Sequence, residues 1–253
     1  MFKIFTILVV TVAKTIFRKK QALTRFNKKI YGNLKTLYRF HSFSFYICYR
    51  MDELEVKILA VAQSLFMKYG VKSVTMDDLA KELGMSKKTI YTVAKNKEEL
   101  VFKVLNNHLG NEMQQCCQFS EESINAIEEL LSIAKNLIEQ MRSMNPAVVY
   151  DLKKYYPKAY KLMEEYRFTF IYETMLNNLK KGVKQGLYRK DINADIIAKF
   201  YVARIDVIFE TSLFPPANYN WIDVYREGLV YHIRGIASEK GLEYLTENLK
   251  KIK

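Results

Sequence analysis

The chain has 253 residues, 49% of them apolar, with only 9 Gly and 4 Pro. This excludes a disordered chain, disfavours a turn-rich β fold, and suits one large or two small domains with a sizeable core. The formal charge of +13 suggests an anionic partner. However, residues 1–50 hold 11 Lys and Arg and no acid, which leaves 29 basic and 27 acidic residues in 51–253. A case for DNA binding must rest on local charge.

Residues 4–13, IFTILVVTVA, form an apolar run followed by the basic stretch FRKKQALTRFNKK. Ten residues are too few to span a bilayer. Three readings of residues 1–50 stand side by side: upstream sequence translated from a misplaced start, a basic arm or membrane-surface segment, and a secretory signal. Met51 opens MDELEVKILAVAQSLF, with acids at a helix N-terminus, as a native start would. No membrane is expected for residues 51–253.

A first helix is predicted from about Asp52 to Tyr69, because Leu54, Ile58, Ala62, Leu65, Phe66 and Tyr69 recur at three- and four-residue steps. Gly70 stops it. Thr75 is placed to cap a second helix, with Asp78 reaching back, and Leu79, Ala80 and Leu83 form its inner stripe. Gly84 supplies the positive φ of a turn. Ser86 caps a third helix, and between Gly84 and Lys97 there are four Lys and no acid. Asn96 caps the fourth helix, with Glu99 at the box position, and its first N–H groups with Lys97 make a phosphate site. A helix, a Gly turn and a cationic second helix are the sequence form of a helix-turn-helix that enters the DNA major groove. Thr75, Ser86, Lys87, Lys88, Thr89, Tyr91, Thr92 and Lys97 are the candidate DNA-contacting residues.

Residues 55–100 resemble the N-terminal domain of TetR-type (tetracycline-repressor-like) regulators, through ILAVAQSLFMKYG, VTMDDLAKELGMSKKTIY and KNKEEL. The resemblance implies an all-α homodimer with a three-helix DNA-binding domain and a larger C-terminal domain that binds a small effector. Val93 and Ala94 depart from it, since an aromatic or His followed by Phe is usual there. The resulting division is a basic leader over 1–50, a DNA-binding domain over 51–98, and a helical effector-binding and dimerisation domain over 99–253.

Beyond Phe102, helical spacing predicts segments at about 97–117, 123–143, 146–155, 157–185, 194–213, 221–238 and 240–251, with a break from Gly182 to Gly186. Ile197, Phe200, Tyr201, Val207 and Ile208 form one stripe, and Ile222, Tyr225, Leu229, Ile233 and Ile236 another. These stripes face either the monomer's own core or a four-helix dimer interface, the arrangement the resemblance implies. Six Tyr between 150 and 172 suit either an apolar ligand pocket or an ordinary helical core. Tyr150, Arg167, Phe168, Tyr172, Tyr201 and Arg204 are the candidate pocket residues, the two Arg as partners for an anionic ligand.

Three Cys (48, 116, 117) and three His (41, 108, 232), with no C-x-x-C spacing, suggest reduced thiols in a cytoplasmic protein rather than a metal site or disulfide framework. No Ser-His-Asp pattern or Gly-rich phosphate loop is readable, so no catalytic residue and no cofactor are assigned. The expected function is a regulator, most simply a repressor, that holds a palindromic double-stranded DNA operator as a homodimer and is released by a small-molecule effector. A membrane-surface protein acting through residues 1–50 is the alternative.

Overall fold

The computed structural model describes residues 53–210 and 212–252. The three readings of residues 1–50 lie outside the described residues. Among those described, regular structure is helical apart from one antiparallel bridge between Tyr188 and Ala237. None of these helices is long and apolar enough to cross a membrane.

Helices α1 (Glu53–Tyr69), α2 (Met76–Leu83) and α3 (Lys87–Val93) form the small N-terminal bundle. Ile58, Leu59, Ala62 and Phe66 of α1 are buried, together with Leu79, Ala80 and Ile90. Tyr69, expected in the inner stripe of α1, is exposed instead, because it lies at the helix end just before the Gly70 turn. Each start is set by its cap. The Thr75 side chain accepts from the Asp78 N–H at 3.1 Å, and the Asp78 carboxylate accepts from the Thr75 N–H at 2.8 Å. Gly84, at φ 61°, ends α2.

Helix α4 (Lys97–Glu122) starts at Asn96, whose Oδ1 accepts from the Glu99 N–H at 2.9 Å. The Glu99 carboxylate reaches the Lys95 N–H, one residue before the expected cap position. Helix α4 is continuous across residue 98, so the small bundle and the larger domain share it. Its early residues Leu100, Val101, Val104 and Leu105 are buried.

The larger domain adds α5 (Ala126–Ser143), α6 (Ala147–Tyr155), α7 (Pro157–Tyr166), α8 (Tyr172–Lys184), α9 (Ala194–Ile208), α10 (Trp221–Ile236) and α11 (Glu239–Asn248). Helix α5 lies at its centre: Ile127, Leu130, Leu131, Ala134, Ile138 and Met141 follow helical steps and are all buried. Its buried Glu129 is paired with Lys181 at 2.8 Å. Buried Asn178 donates to the Ala126 carbonyl and accepts from the Tyr188 hydroxyl, tying α8 to the start of α5.

The predicted 157–185 helix is divided. One turn of π-helix, Arg167–Ile171, joins α7 to α8. Gly182 is no break but an interior residue of α8, where a Cβ would meet the Tyr188 ring at 2.1 Å. The chain turns at Gly186, φ 71°. Helix α9 ends at Ile208, short of the expected 213.

Three contacts lock the last turn of α1 and the loop after it onto the rest of the chain. The buried Asp151 carboxylate of α6 accepts from the Lys72 N–H at 2.8 Å. Lys97 Nζ donates to the Lys72 carbonyl at 2.9 Å. The Asn145 N–H donates to the Met67 carbonyl at 2.6 Å.

Candidate functional site

The outer face of α3 is cationic and open. Ser86 caps it, its Oγ accepting from the Thr89 N–H at 3.2 Å. Lys87, Lys88, Tyr91 and Thr92 are exposed, and Tyr91 leaves 44% of its surface in solvent. Ile90, fully buried, fixes the opposite face of α3 against the bundle. Lys87 pairs with Asp77 of α2. Among the described residues Lys88 has no acidic partner. Thr75 is engaged in its cap, and the Thr92 hydroxyl donates to the Thr89 carbonyl.

Lys97 lies elsewhere. Its ammonium bonds the Lys72 carbonyl and sits 5.7 Å from the centre of the Tyr156 ring, in the joint between the bundle and the larger domain. Burial lowers its pKa, and Asp151 partly opposes this. The departure at Val93–Ala94 is absorbed there too. Ala94 is buried, and Lys103 Nζ crosses from α4 to the Val93 carbonyl at 2.7 Å and to Glu55 at 2.9 Å.

Below this bundle lies a cavity of about 280 Å³, whose lining surface is mostly apolar although several polar side chains reach it. Its wall draws on α1 (Gln63, Phe66, Met67), on α4 to α8 with the π turn between α7 and α8, and on α9 and α10. Three of the six candidate pocket residues line it: Arg167, Tyr201 and Arg204. The other three do not. Tyr150 and Phe168 are exposed on the outer surface, and the Tyr172 hydroxyl donates to Asp195 at 2.6 Å. The Tyr150 hydroxyl is held by Lys154.

The cavity also takes polar residues that the sequence reading passed over: His108, Glu112 and Cys116 of α4, Tyr166 of α7 and Tyr225 of α10. A signal for the first three existed. They extend the stripe Val101, Val104, Leu105 at helical steps, so polar groups occupy an inward face. Gln63 of α1 is hydrogen-bonded to His108 Nδ1 at 3.2 Å, and His108 Nε2 lies 3.6 Å from Glu112. Burial raises the Glu112 pKa, opposed by His108 and by the Tyr166 hydroxyl. Burial also pushes the Cys116 thiol up to about 12, so it stays protonated at neutral pH.

At the α9–α10 side, Arg204 Nη1 donates to the Gly228 carbonyl, and the guanidinium lies 4.7 Å from the centre of the Tyr201 ring. His232 packs edge-on against Tyr201 at 5.0 Å. Burial, then the Arg204 charge, depresses the His232 pKa to about 4. The folded state therefore holds His232 neutral, while the unfolded chain protonates it below pH ~6.5. Its contribution is fully present above pH ~6.5 and is lost as pH falls toward 4, on the order of 3 kcal/mol in all. Urea unfolding at pH 7 and pH 4.5 is expected to show a smaller pH-dependent loss in His232→Asn than in the unchanged chain.

An exposed cationic helix, set by a Gly turn after a capped helix and backed by an internal cavity, defines a helix-turn-helix DNA-binding protein. Residues 58–104 match the bacterial regulatory proteins of the tetR family, and the relatives the chain resembles are transcriptional regulators. It is 29% identical over 161 residues to the HTH-type transcriptional regulator YvaF of Bacillus subtilis, covering 62% of this chain and 82% of that one. It is 26% identical over 159 residues to the HTH-type transcriptional repressor KstR2 of Mycolicibacterium smegmatis, covering 60% and 73%. A Cytophaga hutchinsonii transcriptional regulator shares the fold at TM-score 0.61 and 20% identity, over 74% of this chain and all of that one. A putative regulator from Saccharomonospora viridis, solved in complex with choline, does so at TM-score 0.59 and 24% identity, over 75% and 100%.

Proposed function

We propose that this chain is a cytoplasmic, homodimeric repressor that holds a palindromic operator through the α3 face and releases it when a small molecule fills the cavity. The observation that carries the reading is the shared wall. Gln63, Phe66 and Met67 of α1 line the same cavity as the larger domain, so a ligand there touches the DNA-binding bundle directly. The joint at Asp151 and Lys97 gives the shift a rigid path to the loop after α1. Relatives support it: KstR2 is a named repressor, and SmeT was solved as a complex with triclosan.

Dimerisation would occur through α9 and α10. Ile196, Phe200 and Val207 present one apolar face of α9, and Phe200 leaves 67% of its surface exposed. Tyr231 of α10 leaves 82% exposed. Joining two copies across these faces would bury surface that a monomer leaves in water. The two α3 helices would then read half-sites about 34–36 Å apart.

Footprinting on the chain's own upstream DNA, with sedimentation of the complex, tests this. The expected result is a protected two-fold symmetric site bound by two copies. Equal affinity for all fragments at matched salt would overturn it.

A further inference from the structure

The cavity holds a charge without a counter-charge. Among the described residues, no carboxylate lies within ion-pairing distance of Arg204; its contacts are the Gly228 carbonyl and Tyr201, through both ring and hydroxyl, and its buried Nε has no hydrogen-bond partner. His232, beside it, is neutral at physiological pH and also has an unpartnered buried nitrogen, Nε2. Both carboxylates that line the cavity are already engaged: Glu112 by His108 and Tyr166, and Asp206 by Arg167. A guanidinium facing an apolar cavity without an anion is costly, and an anion within the cavity removes that cost.

Arg167 differs. It is 4% exposed, carried inward by the π turn, and balanced by Asp206 and Glu164. Its Nε is also buried and unpartnered, which leaves a second donor on the same wall. π turns inside helices recur at functional sites. At about 280 Å³ the space is near the lower edge of small-molecule sites, ~300–1,000 Å³, which suits a compact ligand.

We infer that the effector is a small apolar molecule carrying one carboxylate, the carboxylate held by Arg204 and the body packed against the aliphatic and aromatic wall. The inference rests on the cavity's being the effector site. Arg guanidinium and carboxylate match as a planar two-point pair, and the pair is strong where water is excluded.

The test uses the full chain and three probes of similar length: decanoate, decanol and decyltrimethylammonium. Binding is read by titration calorimetry and by emission of Trp221, the only Trp, whose ring lies 5.5 Å from that of the cavity residue Phe209. Decanoate is expected to bind at least ~10-fold more tightly than decanol, about 1.4 kcal/mol. In Arg204→Gln that preference disappears while decanol binding is unchanged, which also reports an intact cavity. Arg204→Lys, which keeps the charge but not the fork, retains part of it.

Equal binding of decanoate and decanol overturns the inference. So does preference for the cation, no decanoate binding below about 1 mM, or an Arg204→Gln protein whose dimerisation changes while its preference does not. Decanoate binding as expected without release of DNA would spare the inference and sink the release reading. Release by a neutral molecule alone would do the converse.

Discussion

Changing Lys88 and Tyr91 together to Ala is expected to weaken binding to the footprinted site at least ~100-fold, measured by anisotropy with labelled DNA. Each residue stands exposed on the outer face of α3, and among the described residues Lys88 has no acidic partner, so both are available to a duplex. A good base-edge contact is worth ~1–3 kcal/mol and a phosphate contact adds a salt-dependent share, so two losses compound. The salt slope should fall by about one unit from the loss of Lys88. Lys87→Ala should cost less, because Lys87 is already shared with Asp77. Helical content and the unfolding midpoint should not change, since both side chains lie outside the core that Ile90 anchors. A double variant that binds within threefold of the unchanged chain would remove α3 as the reading helix.

The second large effect concerns stability. Gly241→Ala is expected to cost about 3 kcal/mol or more, lowering the midpoint of thermal unfolding by roughly 6–12 °C. A Cβ at Gly241 would lie 2.1 Å from the Leu187 carbonyl oxygen and 3.2 Å from the Ala237 Cβ. The first obstacle is backbone, and it is held: the Leu187 carbonyl accepts from the Ser238 N–H at 2.9 Å, and the Arg189 N–H donates to the Ile236 carbonyl at 2.9 Å. Relief would pull α11 from the Gly186–Arg189 turn and loosen the Ser238 cap, whose Oγ accepts from the Gly241 N–H. Differential scanning calorimetry checks this, and a midpoint within 2 °C of the unchanged chain would contradict it.

Local chemistry made the DNA-binding bundle readable. Thr75, Gly84, Ser86 and Asn96 each set an end through contacts three or four residues away, so sequence distance and spatial distance agree there. In sequence Lys97 looks like a phosphate contact, because nothing local shows that the Lys72 carbonyl, 25 residues back, comes to its ammonium. The pocket was half legible for a different reason. A π turn shifts the phase of the helix on either side of Arg167–Ile171, so the 3.6-residue period cannot be carried through it. Arg167 and Phe170 turn inward, whereas Phe168, two residues from Phe170 and so on the opposite helix face, turns outward. Arg204 and Tyr201, on the unbroken α9, were placed from the same composition without that obstacle.

The shared wall has a consequence that runs backwards from DNA to ligand. If filling the cavity weakens operator binding by a given factor, thermodynamic closure requires the operator to weaken ligand binding by the same factor. With coupling of about 1–3 kcal/mol, a copy already seated on its site would sense the small molecule some 5- to 150-fold less readily than a copy free in solution. The concentration at which the switch trips is then set by how much operator the cell holds as well as by the cavity, and Gln63, one hydrogen bond from His108, lies on the boundary where that exchange is settled.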